Sequence, residues 1–129
     1  MLNADRPGQI RATSAVVPVS GSKFDVYTAA ANHVIVDVVG YFSGSSAPRS
    51  QEGLYVGITP TRLVDTRLDA GPAGGPRLWD HGTREFSVAE ITDDGSAVAA
   101  NFTMTATEDS WGPGHTMFAI MPDGTELSN

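Results

Sequence analysis

The side chains best placed to do chemistry are four charged residues in two short segments. Asp37 lies inside HVIVDVVGYF at 33–42, the most apolar stretch of the chain, and Arg62, Asp65 and Arg67 lie in ITPTRLVDTR at 58–67. A carboxylate among apolar neighbours is costly unless it is paired and hydrogen-bonded. A guanidinium fork can take a carboxylate through two parallel bonds, so Arg62 and Arg67 are the natural partners. Two chemistries follow. Asp37 and Asp65 could form a catalytic carboxylate pair, or all four residues could form a structural ion-pair network that fixes strand register. The network is favoured, because two adjacent guanidinium groups hold acids ionised, which suits clamping better than proton transfer.

Other constellations are sparser. His33, His81 and His115 show no HxH, HxxxH or HExxH spacing, and cysteine is absent, so a zinc or copper site would need convergence from three distant places. Acidic turns at Asp93-Asp94-Gly95 and Asp123-Gly124 offer weak candidates for a structural calcium, with Asp93, Asp94 and Asp123 as ligands, but no EF-hand or repeat-type loop is present. No cofactor is otherwise implied. There is no Gly-x-Ser-x-Gly elbow, and the AGPAGGP run carries prolines where a phosphate loop needs backbone donors. No catalytic residue is assigned, and the chain is expected not to be an enzyme. Trp79 and Trp111 both sit in Gly/Pro-rich loops near acids. Each could cap an open end of the core or present an indole face to a sugar ring. Thr103, Thr105 and Thr107 form a row that needs no explanation beyond the strand preference of threonine. Asn101-Phe102-Thr103 fits a glycosylation acceptor but lies mid-strand.

The elements that must position these residues are strands. Valine and threonine occur twelve times each and leucine six, a β-branched bias that suits a pleated surface. Strands are predicted at 12–19, 24–28, 33–42, 54–59, 62–67, 84–90, 96–107 and 115–121, the first three as an antiparallel meander. The third should lie centrally, covered on both faces. Residues 43–53 read as a linker and 68–82 as a long loop. No stretch of twelve residues carries a helical period. The fold expected is all-β: one domain, 1–129, built as an antiparallel β-sandwich of about seven or eight strands, with a barrel or trefoil-like fold as the alternative. Fifteen acidic against eight basic residues give a net charge of −7, which disfavours nucleic acid and anionic membrane surfaces as partners. No apolar run reaches a membrane span, so no membrane insertion is expected.

The two charged segments together carry a resemblance. A strand ending Asp37-Val38-Val39-Gly40-Tyr41-Phe42, a linker, then PTRLVDTR at 60–67 and a later strand AVAANFTMTAT at 97–107, resembles a domain repeated in secreted and cell-surface proteins of actinobacteria. In that family a Ser-Asn-Leu-Asn stretch leads into the next repeat. This chain ends Ser128-Asn129 and begins Met1-Leu2-Asn3, as though one copy's end continued into another's start. The resemblance implies a non-catalytic extracellular structural module. It would be a repeat unit or self-assembling subunit of a cell-surface or secreted assembly, whose partner is another copy of itself, in tandem or head to tail. A carbohydrate- or cell-wall-binding module is the alternative, with cell-wall glycans as partner. The first residues, MLNADRPGQI, do not read as a secretion signal, so an extracellular location implies a leader already removed or a longer precursor.

Overall fold

The structure is a computed structural model that describes residues 2–4, 9–19, 21–45, 47, 53–68, 74–79, 81–91, 97–107 and 116–122. Its elements, in chain order, are β1 (Leu2–Ala4), β2 (Ile10–Pro18), β3 (Lys23–Thr28), β4 (His33–Ser43), β5 (Tyr55–Asp65), β6 (Gly82–Ser87), β7 (Ala97–Thr107) and β8 (Thr116–Pro122). They form two antiparallel sheets of four strands each, ordered β1-β8-β3-β6 and β2-β7-β4-β5. The protein is all-β, and no helix occurs among the described residues.

The predicted meander does not form. Strands β2, β3 and β4 alternate between the two sheets, so neither turn between them closes a hairpin. The physical reason is that β4 finds a better partner far along the chain. Ten residues of β4 pair with ten of β7, from His33 opposite Thr107 to Ser43 opposite Ala97, with two register shifts between. Long apolar strands in register outweigh the entropic advantage of a short loop, because closure cost grows only slowly with length.

Strand β4 is central, between β7 and β5, as its composition predicts, but it is not equally covered on both faces. Val34, Val36 and Val38 are fully buried on the inner face, whereas Asp37 and Val39 are only half-buried. The core they enter draws on both sheets: Phe24 and Val26 from β3, Val17 from β2, Val64 from β5, and Ala100 and Phe102 from β7. The Phe24 ring lies 4.5 Å from Phe102 and 5.8 Å from Phe86. On β7 the other face carries Asn101, Thr103 and Thr105, all half-buried, which is the alternation the sequence predicts.

Two predicted strands, 54–59 and 62–67, are one strand, β5, that runs through Pro60. Proline is tolerated because β5 is an edge strand and pairing is interrupted there. Val38 opposes Thr61 and Gly40 opposes Gly57, so three residues, 58–60, stand against Val39 alone. The predicted strand at 84–90 ends at Ser87, after which Ile91 N–H donates to the Val88 carbonyl in a turn. The 43–53 linker is pinched at its ends by Ser43 N–H to the Leu54 carbonyl at 3.0 Å and Gly53 N–H to the Ser43 carbonyl at 2.8 Å.

Gly40 sits where β4 bulges against both neighbours, and Tyr55 lies over it. A Cβ there would collide with the Tyr55 hydroxyl and stand 2.7 Å from the Val56 carbonyl oxygen. Gly40→Ala should therefore cost about 1–3 kcal/mol in chemical denaturation. Adding Tyr55→Ala should restore only part of that, since the backbone clash persists. Full recovery would show that the ring alone demands the glycine.

Candidate functional site

The site is built where β5 meets β4. Arg62 opposes Asp37 and Val64 opposes Val36, which leaves Leu63 as an extra residue on β5. In a regular strand, positions three apart point to opposite faces. This bulge puts Arg62 and Asp65 on the same face, the outer one, while Val64 stays in the core. Arg62 then joins two acids. Its Nε donates to Asp37 Oδ1, its Nη2 to Asp37 Oδ2 at 3.3 Å, and its Nη1 to Asp65 Oδ2 at 2.9 Å. Arg67 closes on Asp65 from the other side, with Nε to Oδ1 at 2.8 Å and Nη2 to Oδ2 at 2.7 Å. The Arg67 backbone N–H also donates to Asp65 Oδ1, at 3.2 Å.

The four residues expected to form a network do come together, as the alternating chain Asp37–Arg62–Asp65–Arg67. Their burial differs from the sequence reading. Asp37, which lies in the apolar strand, has 27% of its side chain exposed, whereas Asp65 has only 3%. Asp65 is therefore the acid that must be paired. Its bonds from Arg67, and the charges of Arg67 and Arg62, hold its carboxyl down at about 2 against the opposing effect of burial. The carboxylates in turn raise both arginines, Arg62 chiefly through its bond to Asp37 and Arg67 through its bond to Asp65.

Thr66, between the paired residues, carries a role the sequence reading missed. It is buried, its Oγ1 accepts from Val34 N–H at 2.8 Å and donates to the Val34 carbonyl at 3.3 Å, and its N–H donates to the same carbonyl. His33 Nδ1 reaches the Thr66 carbonyl at 2.8 Å, where it acts as donor. The Asp-Thr-Arg segment thus latches the end of β5 to the start of β4. Asn32 was also missed. It is fully buried, pairs through its backbone with Leu78, and leaves Nδ2 without a hydrogen-bond partner. A single Asn in an Ala-Ala-Asn turn gives no signal for either feature.

A cavity of about 330 Å³ lies beside this cluster, between β5 and the residues that follow β6. Leu63, Phe86 and Ile91 floor it, and Arg62 and Glu90 stand at its polar side. Asp37 and Asp65 do not line it. Phe86 offers no open platform, since its ring packs on Phe24 and carries the Arg84 guanidinium 4.9 Å from its centroid.

Comparison with protein families, curated proteins and solved structures returns no match to this chain. Trp79 stands 68% exposed, next to Leu78, which the bridge to Asn32 turns inward. Gly82 passes close beneath it, its added Cβ falling 3.1 Å from that of Trp79. Trp79 therefore does not cap the core. Trp111, Asp93, Asp94, Asp123 and His115 lie outside the described residues. Among the described residues no group of three His, Asp or Glu converges as a metal site. No helix among the described residues is long and apolar enough to cross a membrane.

Proposed function

We propose that this chain is a non-catalytic, extracellular structural module, a repeat unit or self-assembling subunit of a cell-surface or secreted assembly. The observation that carries the reading is the closed charge chain Asp37–Arg62–Asp65–Arg67. Every acid in it is bound to at least one guanidinium, Asp65 is kept ionised, and neither acid faces the cavity. A general acid needs a raised pKa and access to substrate. Asp65 has the opposite properties, and the cluster instead clamps an edge strand to its neighbour. The two sheets, sharing the Phe24–Phe102 contact and with no ladder between them among the described residues, support an antiparallel β-sandwich over a closed barrel.

In this reading copies associate head to tail or in tandem. Among the described residues strand β1 pairs only with β8, at the edge of its sheet. A head-to-tail contact would seat β1 of one copy beside β8 of the next, an exchange that builds open assemblies when the rotation does not close. Negative-stain electron microscopy over a concentration series, with and without a calcium chelator, tests it. Filaments or stacks are expected, and loss of order in chelator would place a calcium ion at the junction. Dispersed single particles at every concentration would overturn the reading.

One observation favours a second reading, a carbohydrate- or cell-wall-binding module: the outward Trp79 ring. Indole faces stack on sugar rings with little entropic cost. If this reading holds, wild-type protein is retained by insoluble cell-wall glycan and Trp79→Ala loses at least tenfold in retention with unchanged melting, on the scale of about 1.4 kcal/mol for one lost contact. Equal retention of both proteins would remove it.

A further inference from the structure

Two four-stranded sheets have four edges, and each edge offers unpaired backbone groups to any strand that arrives. Three of the four are defended. Strand β1 is only three residues long. Strand β6 is six residues long and carries Arg84 and Glu85. Strand β5 is broken by two register shifts and by Pro60. Strand β2 is different. It pairs with β7 at all nine positions, from Ile10 opposite Thr107 to Pro18 opposite Ala99, with no register shift. Arg11 and Pro18 mark its two ends, and the segment between them, ATSAVV at 12–17, has no charge, no glycine and no proline. Val16 on it is 56% exposed, and among the described residues the only ladder partner of this segment is β7. A regular, uncharged run of this kind is what a self-pairing strand requires, and proteins that must stay apart break it with lysine, proline or a bulge.

We infer that β2 is a self-pairing edge. Two copies join β2 to β2, antiparallel about a two-fold axis, and their four-stranded sheets become one continuous sheet of eight. The occupant is a second copy because identical strands laid antiparallel satisfy one another's outward N–H and C=O groups by symmetry. Charge points the same way. Copies carrying −7 repel in general, but 12–17 brings no charge to the contact, and the charged cluster on the same sheet is two acids paired with two arginines. A contact of six residues per strand falls below about 1,200 Å² of buried surface, so the pairing is weak and concentration-dependent. The inference rests on the reading that this module self-associates, but uses a lateral strand and not the chain ends.

Analytical ultracentrifugation of the whole chain over a concentration series tests it, with Ser14→Lys on the β2 edge and Thr59→Lys on the defended β5 edge. Both positions are exposed, so each variant should melt like wild type. Wild type and Thr59→Lys should move from 13.5 kDa toward the dimer as concentration rises. Ser14→Lys should need about tenfold more protein, because like charges then meet across paired strands. Val16→Lys provides an independent check if Ser14→Lys melts early. Amide protection at 12–17 should rise with concentration in wild type alone of the β2 proteins. Association by the β2 variants as strong as wild type would overturn the β2 edge while leaving self-association standing. Wild type fixed at 13.5 kDa throughout would overturn both.

Discussion

Phe102→Ala should lower stability by about 3–5 kcal/mol, the usual cost of emptying an aromatic site in a packed core. Phe102 is fully buried on β7, and its ring is the point at which the second sheet meets Phe24 of the first, 4.5 Å away. Most of the core cluster it belongs to is β-branched or small, Val26, Val36, Val38 and Ala100 among them. They sit on paired strands and cannot slide inward to fill the space. For a domain whose total stability is on the order of 5–15 kcal/mol, that loss is a large fraction of the whole. Urea titration should show it as a shifted midpoint with an unchanged slope. A loss under about 1 kcal/mol would mean that the two sheets do not depend on this contact.

Asp65→Asn should have the next largest effect and should be recognisable by its pH dependence. The sign follows from the depressed pKa. Folded Asp65 ionises at about 2, below its ordinary value of 3.8, so its contribution is complete above pH 4 and is lost as pH falls through 4 to 2. That interval corresponds to no more than about 2 kcal/mol, because Arg62 and Arg67 keep much of their surface in water. Wild type should therefore lose stability between pH 4 and pH 2, and Asp65→Asn should be less stable at neutral pH and flatter across that range. The bond from Arg67 N–H can still be accepted by the amide oxygen, so the variant should fold. Parallel acid curves for the two proteins would place the pH dependence in other carboxylates.

The sequence carried the identity of the charged cluster but not its geometry. Asp37, Arg62, Asp65 and Arg67 were legible as partners because two acids and two arginines in otherwise apolar segments have few other ways to be satisfied. Which acid is buried was not legible. Strand composition pointed to Asp37, yet the bulge at Leu63 turns Arg62 and Asp65 to the outer face, and it is Asp65 that is buried there. A one-residue bulge leaves no mark on local hydropathy. The same limit explains the failed meander. The segments 20–23 and 30–32 read as the turns of a meander, but pairing is decided by β4 and β7, more than fifty residues apart, and no local pattern records that choice. Pro60 reads as a stop to pairing or the mark of an edge, because proline removes a ladder donor, and it lies on an edge strand. On an edge strand at a bulge that donor has no partner to lose. Trp79 was legible as a loop aromatic, but its exposure depends on the Asn32–Leu78 bridge, which is set by the tertiary fold.

The central claim is that the Asp37–Arg62–Asp65–Arg67 cluster is a clamp and not a catalytic acid pair. The most direct measurement is an NMR titration of the aspartate side-chain carboxyl carbons in the intact chain. The clamp predicts that Asp65 titrates at about 2 and that its chemical shift is flat from pH 4 to pH 8. An Asp65 pKa at or above the ordinary carboxylate value of roughly 4 would contradict it and return a proton-transfer role to this pair.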